Sequence, residues 1–372
     1  MNIETEFLKF KYTDDSFPDY ARKNYISIYN VLKTQFDTQI HPEIKTKILE
    51  IEKSGFYNDH GVDHIKMVVD RVSRLISLLN PTFKKIESKN KNLEKFYISP
   101  YEIFILLMAI NLHDAGHLIA SRDDHAKKGT ELLSRFDSAD LLDRGEKIAI
   151  GKIAKVHGGK DDPISRLEPV LSLSNSNIRP QFLAALLRLG DELAEDKSRA
   201  SNLLLKLKDE NTYDKETIMD PTSELYHRFS ACLDSISLDN HEIKLHFYVL
   251  EDQLLSEYPK VINKKGDIIN QFLLDEIYKR TLKTFTETLY CNRYFPASMR
   301  FNSVIGEIHL LTKYQEEIHE PIKFFLKENG YPLLQSDDIF ELCGKDLIKS
   351  NGDKIDGNYI ANLIKTRNGQ PI

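Results

Sequence analysis

The stretch SPYEIFILLMAINLHD, residues 99–114, decides the fold. Ser99 is a good N-cap, Pro100 follows at the first helical position, and Glu102 stands three residues after the cap, the spacing of a capping box. The run Ile103–Leu112 is apolar nearly all round, so this helix belongs inside a helical body rather than on its surface. The run is well short of the roughly 18 residues that a bilayer-spanning helix needs. It ends in adjacent His113 and Asp114. A buried, unpaired carboxylate is costly, and a bound cation would remove that cost.

Outward from this helix the pattern stays helical. In VDHIKMVVDRVSRLISLL, residues 62–79, Ile65, Val68, Val69, Val72, Leu75, Ile76 and Leu79 recur every three or four positions, which makes one apolar helix face. Residues 1–19 read as irregular. Helices are expected from Tyr20 to about Phe36 and from Glu43 to Lys53, and Pro81 opens a Lys/Asn/Glu-rich loop over 84–95. Downstream, helices are expected from Asp123 or Asp124 through HAKKGTELLSRF, over 141–157, and in RPQFLAALLRLGDELAED, with a long loop over 158–178. After about residue 210 the character changes. HEIKLHFYVL (241–250) alternates like a strand, a helix is expected over 266–289, and RFNSVIGEIHLLTK is the next strand candidate. The expected fold class is mainly α, a helical bundle with a smaller α/β C-terminal region. Residues 1–210 form the helical domain, 211–314 an α/β accessory region, and 315–372 a small C-terminal module of helix and loop.

Composition narrows the function classes. The chain has 372 residues, a net charge of −6, 41% apolar and 29% charged residues, with no basic stripe to mark a nucleic-acid groove. Cys232, Cys291 and Cys343 lie far apart and form no CxxC pair, which fits a reducing cytoplasm better than a disulfide scaffold. The start lacks a basic-then-apolar signal pattern. No membrane association is expected. Oligomer or partner contacts, if made, are assigned to the C-terminal region.

Histidine is concentrated. Of twelve histidines, His60, His64, His113, His117, His125 and His157 fall between residues 60 and 157. With carboxylates these are natural ligands for Mn, Fe, Mg, Zn or Co ions. His64 lies near the start of one helix, His113 and Asp114 at the end of another, His157 at the end of a third, and Asp191 inside a fourth. Ligands on separate helices can converge in a bundle interior. Each also has a structural reading. His60 suits a turn, His117 a helix cap, and His125 a first-turn surface position, and Asp191 suits an ion pair with Arg188 or Arg199. Asp123 and Asp124 read as an N-cap and first-turn charges.

The joint pattern resembles the HD-domain superfamily of metal-dependent phosphohydrolases, over about residues 50–200. His64 in DHGVDHIKMVVDRV, His113–Asp114 in NLHDAGH and Asp191 in LLRLGDELAEDKSR match the family's histidine, His-Asp doublet and distant aspartate. His125 and His157 look like the two further histidines of its two-metal members. HDAGH is nearer to the HD-x-GH form of the dNTP triphosphohydrolase branch than to the HD-x-GK form of the cyclic-dinucleotide phosphodiesterases. The Gly-Tyr-Pro motif of the latter does not follow His157, and the Gly-Pro-Phe-Ser of the former is missing from 117–125. There is also a loose similarity to HD modules of bacterial conflict systems.

The resemblance implies one or two divalent ions. His64, His113, Asp114 and Asp191 are expected on the first. His125 and His157 complete a second, with Asp114 bridging. With a single ion, His117 or His125 is the expected acid or base, because imidazole titrates near neutrality. Lys66, Arg122, Lys128, Lys160, Arg188 and Arg199 are the cations available to phosphate, with Lys160 and Arg199 favoured by their closeness to ligand candidates. The implied substrate is a nucleotide, first a (deoxy)nucleoside triphosphate or monophosphate, then a cyclic or short linear oligonucleotide. A nucleotide-sensing module with a partner is the non-enzymatic alternative.

Overall fold

A computed structural model of the chain describes residues 1–11, 17–18, 22–44, 46, 61–83, 96–120, 124–159, 161–200, 205, 221–239, 241–262, 266–327 and 336–369. The expected helix at Glu43–Lys53 falls mostly outside these residues, as do the 84–95 loop, His60, Arg122, Asp123 and Lys160. The chain is mainly α with an α/β part, and its contacts divide it into two compact units. The first comprises Met1–Ile51, Asp59–Ala194 and Cys291–Arg300, and the second Glu52–Asn58, Glu195–Tyr290 and Phe301–Ile372.

In the first unit the helices are α1 (Ile3–Leu8), α2 (Tyr25–Gln35), α3 (Val62–Ser77), α4 (Pro100–Leu112), α5 (Gly129–Phe136), α6 (Arg144–Lys155) and α7 (Pro180–Glu192). All thirteen residues of α4 are buried. It is the axis of the bundle, touching α1, α2, α3, α6 and α7. Its start is the expected capping box: Ser99 Oγ accepts from Glu102 N at 3.0 Å, and Glu102 accepts from Ser99 N at 3.1 Å. Arg179, just before α7, then donates to both oxygens of Glu102 at 2.7 and 2.8 Å while its guanidinium lies over the Phe96 and Phe182 rings. A buried carboxylate is tolerable here because it is paired twice over and hydrogen-bonded. A second buried carboxylate, Glu146 of α6, accepts from Tyr25 and Tyr101 hydroxyls at 2.7 and 2.9 Å and from Lys23 at 2.9 Å. These bonds pin α2, α4 and α6 together around an aromatic layer of Phe7, Phe17, Tyr25 and Phe104.

Four local features differ from expectation. The 1–19 stretch read as irregular holds helix α1, whose start is capped by Asn2 accepting from Thr5 N at 2.9 Å. The 158–178 segment holds a hairpin, β1 (Leu171–Leu173) with β2 (Ser176–Ile178). Its two-residue turn, Ser174–Asn175, has φ of 47° and 68° at both positions, the primed turn that matches strand twist. Strands of three residues are too short to leave a readable alternation. The helix expected from Asp123 or Asp124 starts as a single 3-10 turn, His125–Lys127, before α5. Asp124 holds the cap position, but its carboxylate binds Lys127 Nζ at 2.6 Å instead of a backbone N–H. Finally, α2 runs into a π-helical turn, Phe36–Ile40.

In the second unit, β3 (Leu233–Asp239), β4 (Glu242–Leu250), β7 (Ser303–Leu311) and β8 (Ile322–Lys327) form one sheet in the order β3-β4-β7-β8. β4 and β7 are parallel, from Glu242↔Ser303 to Leu250↔Leu311, and the other pairs are antiparallel. A parallel pair needs a crossover, which here includes the separate hairpin β5 (Glu257–Val261) and β6 (Ile268–Phe272) and the helix α10 (Leu273–Asn292). Helices α8 (Pro221–Cys232), α9 (Glu251–Leu255), α11 (Ile339–Cys343) and α12 (Gly357–Arg367) complete the unit. Two expectations are corrected. The helix placed at 266–289 begins only at Leu273, because Ile268–Phe272 pairs with β5. The sheet runs across residue 314, since β8 pairs with β7. Gly306 makes room for Phe324 in that pairing. A Cβ there would lie 2.2 Å from the ring.

The three cysteines are buried and form no disulfide. Among the described residues no helix is long and apolar enough to cross a membrane.

Candidate metal centre

The site lies in the first unit, where four helix ends and one short turn converge. The apolar axis α4 delivers His113 and Asp114, as the fully apolar run requires. His64 comes from the first turn of α3, and Asp191 from the last turn of α7. The packing of α3 on α7 sets the distance between these two. Gly190 of α7 sits so close to Val72 of α3 that a Cβ would lie 2.4 Å from its Cγ2. Arg71 of α3 donates to Leu193 O at 3.0 Å just beyond α7. The result puts His64 Nε2 3.2 Å from Asp191 Oδ1 and 3.5 Å from Asp114 Oδ2. His113 Nε2 lies 3.2 Å from Asp114 Oδ2 and 3.6 Å from Asp191 Oδ1.

The other oxygen of Asp114 faces a second set of imidazoles. Oδ1 is 3.5 Å from His125 Nε2, 3.8 Å from His157 Nε2 and 4.0 Å from His117 Nε2. His117 and His125 are stacked, with ring centroids 3.9 Å apart and planes 10° from parallel. His125 is brought in by the turn after α4. A Cβ on Gly116 would fall 1.8 Å from His125 O, so only glycine lets the two backbones approach this closely. His64, His113 and Asp114 thus form one group with donor atoms close enough for a shared ion, and Asp114, His117 and His125 form another.

Tautomers point the same way. His113 Nδ1 lies 2.7 Å from Ile110 O and His157 Nδ1 2.6 Å from Ala154 O. A ring that donates Nδ1–H to a carbonyl turns its Nε2 into the site, where that atom is a ligand once unprotonated. His113 Nε2 is sealed from solvent, and the groups it faces most closely among the described residues are the carboxylates of Asp114 and Asp191. His125 and His157 bring their Nε2 atoms to 3.2 Å, a distance at which two lone pairs need a proton or a cation between them.

Charge at the centre is set by the two carboxylates. Burial opposes a charge on His113, yet Asp114 and Asp191 outweigh it and hold its pKa well above the usual value. Burial likewise opposes ionisation of Asp191, but His113 and His64 hold its pKa well below the carboxylate range. Burial, reinforced by the charge on His113, pushes His157 down to about 4, so it stays neutral with a lone pair to give. Imidazole nitrogens and carboxylate oxygens in this arrangement fit a divalent cation. His64, His113, Asp114 and Asp191 would hold one, and Asp114, His117, His125 and His157 a second.

The cations assigned to phosphate fare differently. Lys66 binds Asp63 at 3.1 Å and Lys128 binds Glu131 at 3.0 Å. Arg199 lies in the second unit and pairs with Glu195 at 3.2 Å. Arg188 is buried and donates to Gly159 O at 2.9 Å and to Val156 O at 3.5 Å. Its place on the apolar face of α7, among Leu186, Leu187 and Leu189, was the signal against a solvated phosphate contact. Gly116 and Gly190 were not singled out from the sequence. Their need appears only when two backbones meet.

A helical bundle that gathers a histidine, a His-Asp doublet and a distant aspartate in its interior defines an HD-type domain. The chain belongs to the HD-CE family, whose model matches residues 54–280, more than half of its length. That membership supports a metal-dependent HD-type hydrolase in general terms. Nothing among curated proteins or solved structures matches the chain.

Proposed function

We propose that the protein hydrolyses phosphate ester or anhydride bonds in a nucleotide, best a (deoxy)nucleoside triphosphate or monophosphate, with two divalent cations. The observation that carries this is the division of labour at Asp114, whose Oδ2 faces His64 and His113 while Oδ1 faces His117, His125 and His157. One carboxylate shared by two ligand groups is the arrangement that two-ion phosphoryl chemistry needs. Bound ions would withdraw charge from phosphoryl oxygens and make water nucleophilic at neutral pH.

The chain's own residues supply position. The rigid end of α4 holds Asp114 between the two groups, and Asp191 and His64 close the first from α7 and α3. His157, neutral at physiological pH, contributes an acceptor without competing for a proton. His117, stacked on His125 in the second group, is the residue placed to take or give a proton where it is not itself a ligand. The HD-x-GH form of the doublet favours the triphosphohydrolase-like subtype. The test is incubation with a broad nucleotide panel in added Mn, Fe, Mg, Zn or Co, with products read by mass. Release of triphosphate, pyrophosphate or phosphate identifies the bond. Cleavage of only cyclic or oligomeric substrates would assign a phosphodiesterase. Full metal loading with no turnover of any of them would assign a nucleotide sensor.

A further inference from the structure

We propose that Arg188 is a positioning residue that clamps the His157 turn and so maintains the second ligand group; this rests on the two-ion reading above. Helix α6 ends at Lys155, and the chain leaves through Val156, His157, Gly158 and Gly159. Gly159 has φ +98°, a left-handed conformation that glycine adopts without strain. Its carbonyl lies within reach of α7. Arg188 meets it there, donating from Nη2 to Gly159 O at 2.9 Å and, over a longer 3.5 Å, from Nη1 to Val156 O. The two carbonyls bracket His157. The third constraint on the ring is its own Nδ1 contact to Ala154 O at 2.6 Å.

The choice of residue follows from this geometry. Arg188 is only 7% exposed, so its charge must be answered by protein acceptors. A planar guanidinium can donate to two carbonyls at once from a fixed fork, whereas an ammonium offers a point charge. Arg188 also stands three residues before Asp191, on the same face of α7. One helical turn therefore carries a ligand of the first group and the clamp on a ligand of the second. Substituting residue 188 should loosen the second group while Asp191, His64 and His113 keep the first.

Metal stoichiometry and affinity separate the cases. The parent chain, Arg188→Met, Arg188→Lys and His157→Ala are loaded with Mn²⁺, and bound ions are counted by mass spectrometry during titration. Spin coupling between paired ions is read by EPR. The expected result is two ions and a coupled signal for the parent protein. Arg188→Met should hold the first ion within about threefold of the parent and bind the second roughly 10–100-fold more weakly, the usual effect of losing an outer-shell partner. His157→Ala should give the same one-ion pattern, and Arg188→Lys an intermediate one. Two ions bound by Arg188→Met at parent affinity would overturn the clamp. So would loss of both ions from Arg188→Met while His157→Ala loses one, because Arg188 would then serve the fold as a whole. A parent protein that binds a single ion overturns the two-ion reading itself, and with it this role.

Discussion

Oδ1 of Asp114 lies 3.5 Å from Nε2 of His125, on the other side of the carboxylate from the oxygen that faces His113 at 3.2 Å. Among the described residues, Asp114 is thus the one side chain common to both ligand groups. Asp114→Ala should abolish retention of both ions, whereas His64→Ala should spare the second group and His125→Ala the first. Affinity at the group losing its own ligand should fall by more than about a hundredfold, since even outer-shell losses cost roughly 10–100-fold. Titration with Mn²⁺ checks this, and equal loss from all three variants would show that the groups are not separable.

Gly116→Ala should disrupt the approach of the His125 turn. The added methyl would sit 1.8 Å from a backbone oxygen, which cannot move aside as a flexible side chain would. Overpacking of this kind typically costs about 1–3 kcal/mol. The expected signature is a lower unfolding midpoint together with weakened second-group metal binding. Unchanged midpoint and affinity would show that the turn relaxes freely.

Arg179→Ala should be among the more damaging changes remote from the site. It strips the partner from Glu102, whose carboxylate is buried at the start of α4. Breaking a fully buried pair from one side costs about 3–5 kcal/mol. Arg179 is 30% exposed and Glu102 keeps the backbone N–H groups of Ser99 and Arg179, so the expected cost lies at or below the low end. Arg179→Ala combined with Glu102→Gln should recover part of that loss. Denaturant unfolding of the single and double variants measures the recovery.

Asp275 predicts a pH dependence in the second unit. Burial pushes its carboxyl up to about 6 from an ordinary 3.8, despite the hydrogen bond it accepts from Gly357 N at 2.9 Å. Between about pH 4 and pH 6 the folded state therefore holds a proton there that the unfolded state has released. Stability associated with this group falls as pH rises from about 4 to about 6 and is flat above that window. Asp275→Asn keeps an acceptor for Gly357 and removes the charge. It should gain about 1–3 kcal/mol at pH 7.5, since each tenfold difference in proton affinity between the folded and unfolded chains is worth about 1.4 kcal/mol, and little at pH 4. Equal effects at both pH values would refute the assignment.

Much of the bundle was legible in local pattern. The capping box at Ser99, the seven-residue apolar face of α3 and the unbroken apolar run of α4 each state a helix and its burial without reference to the rest of the chain. The second unit was less legible, because β5, β6 and β8 are short. Their apolar residues satisfy a helical reading until a partner strand is in place, as Ile268–Phe272 shows against Glu257–Val261.

The same division holds for the site. Residue chemistry and chain order brought out His64, His113, Asp114, His157 and Asp191 as ligand candidates at helix ends, and the resemblance to the HD-domain superfamily joined His125 to them as one constellation. Only the tertiary structure decided how they divide. The split of Asp114's two oxygens, the stacking of His117 on His125, the glycine contacts and the turn of Arg188 toward the His157 carbonyls all depend on distances between segments remote in sequence. Helix packing sets those distances, and no local pattern encodes them.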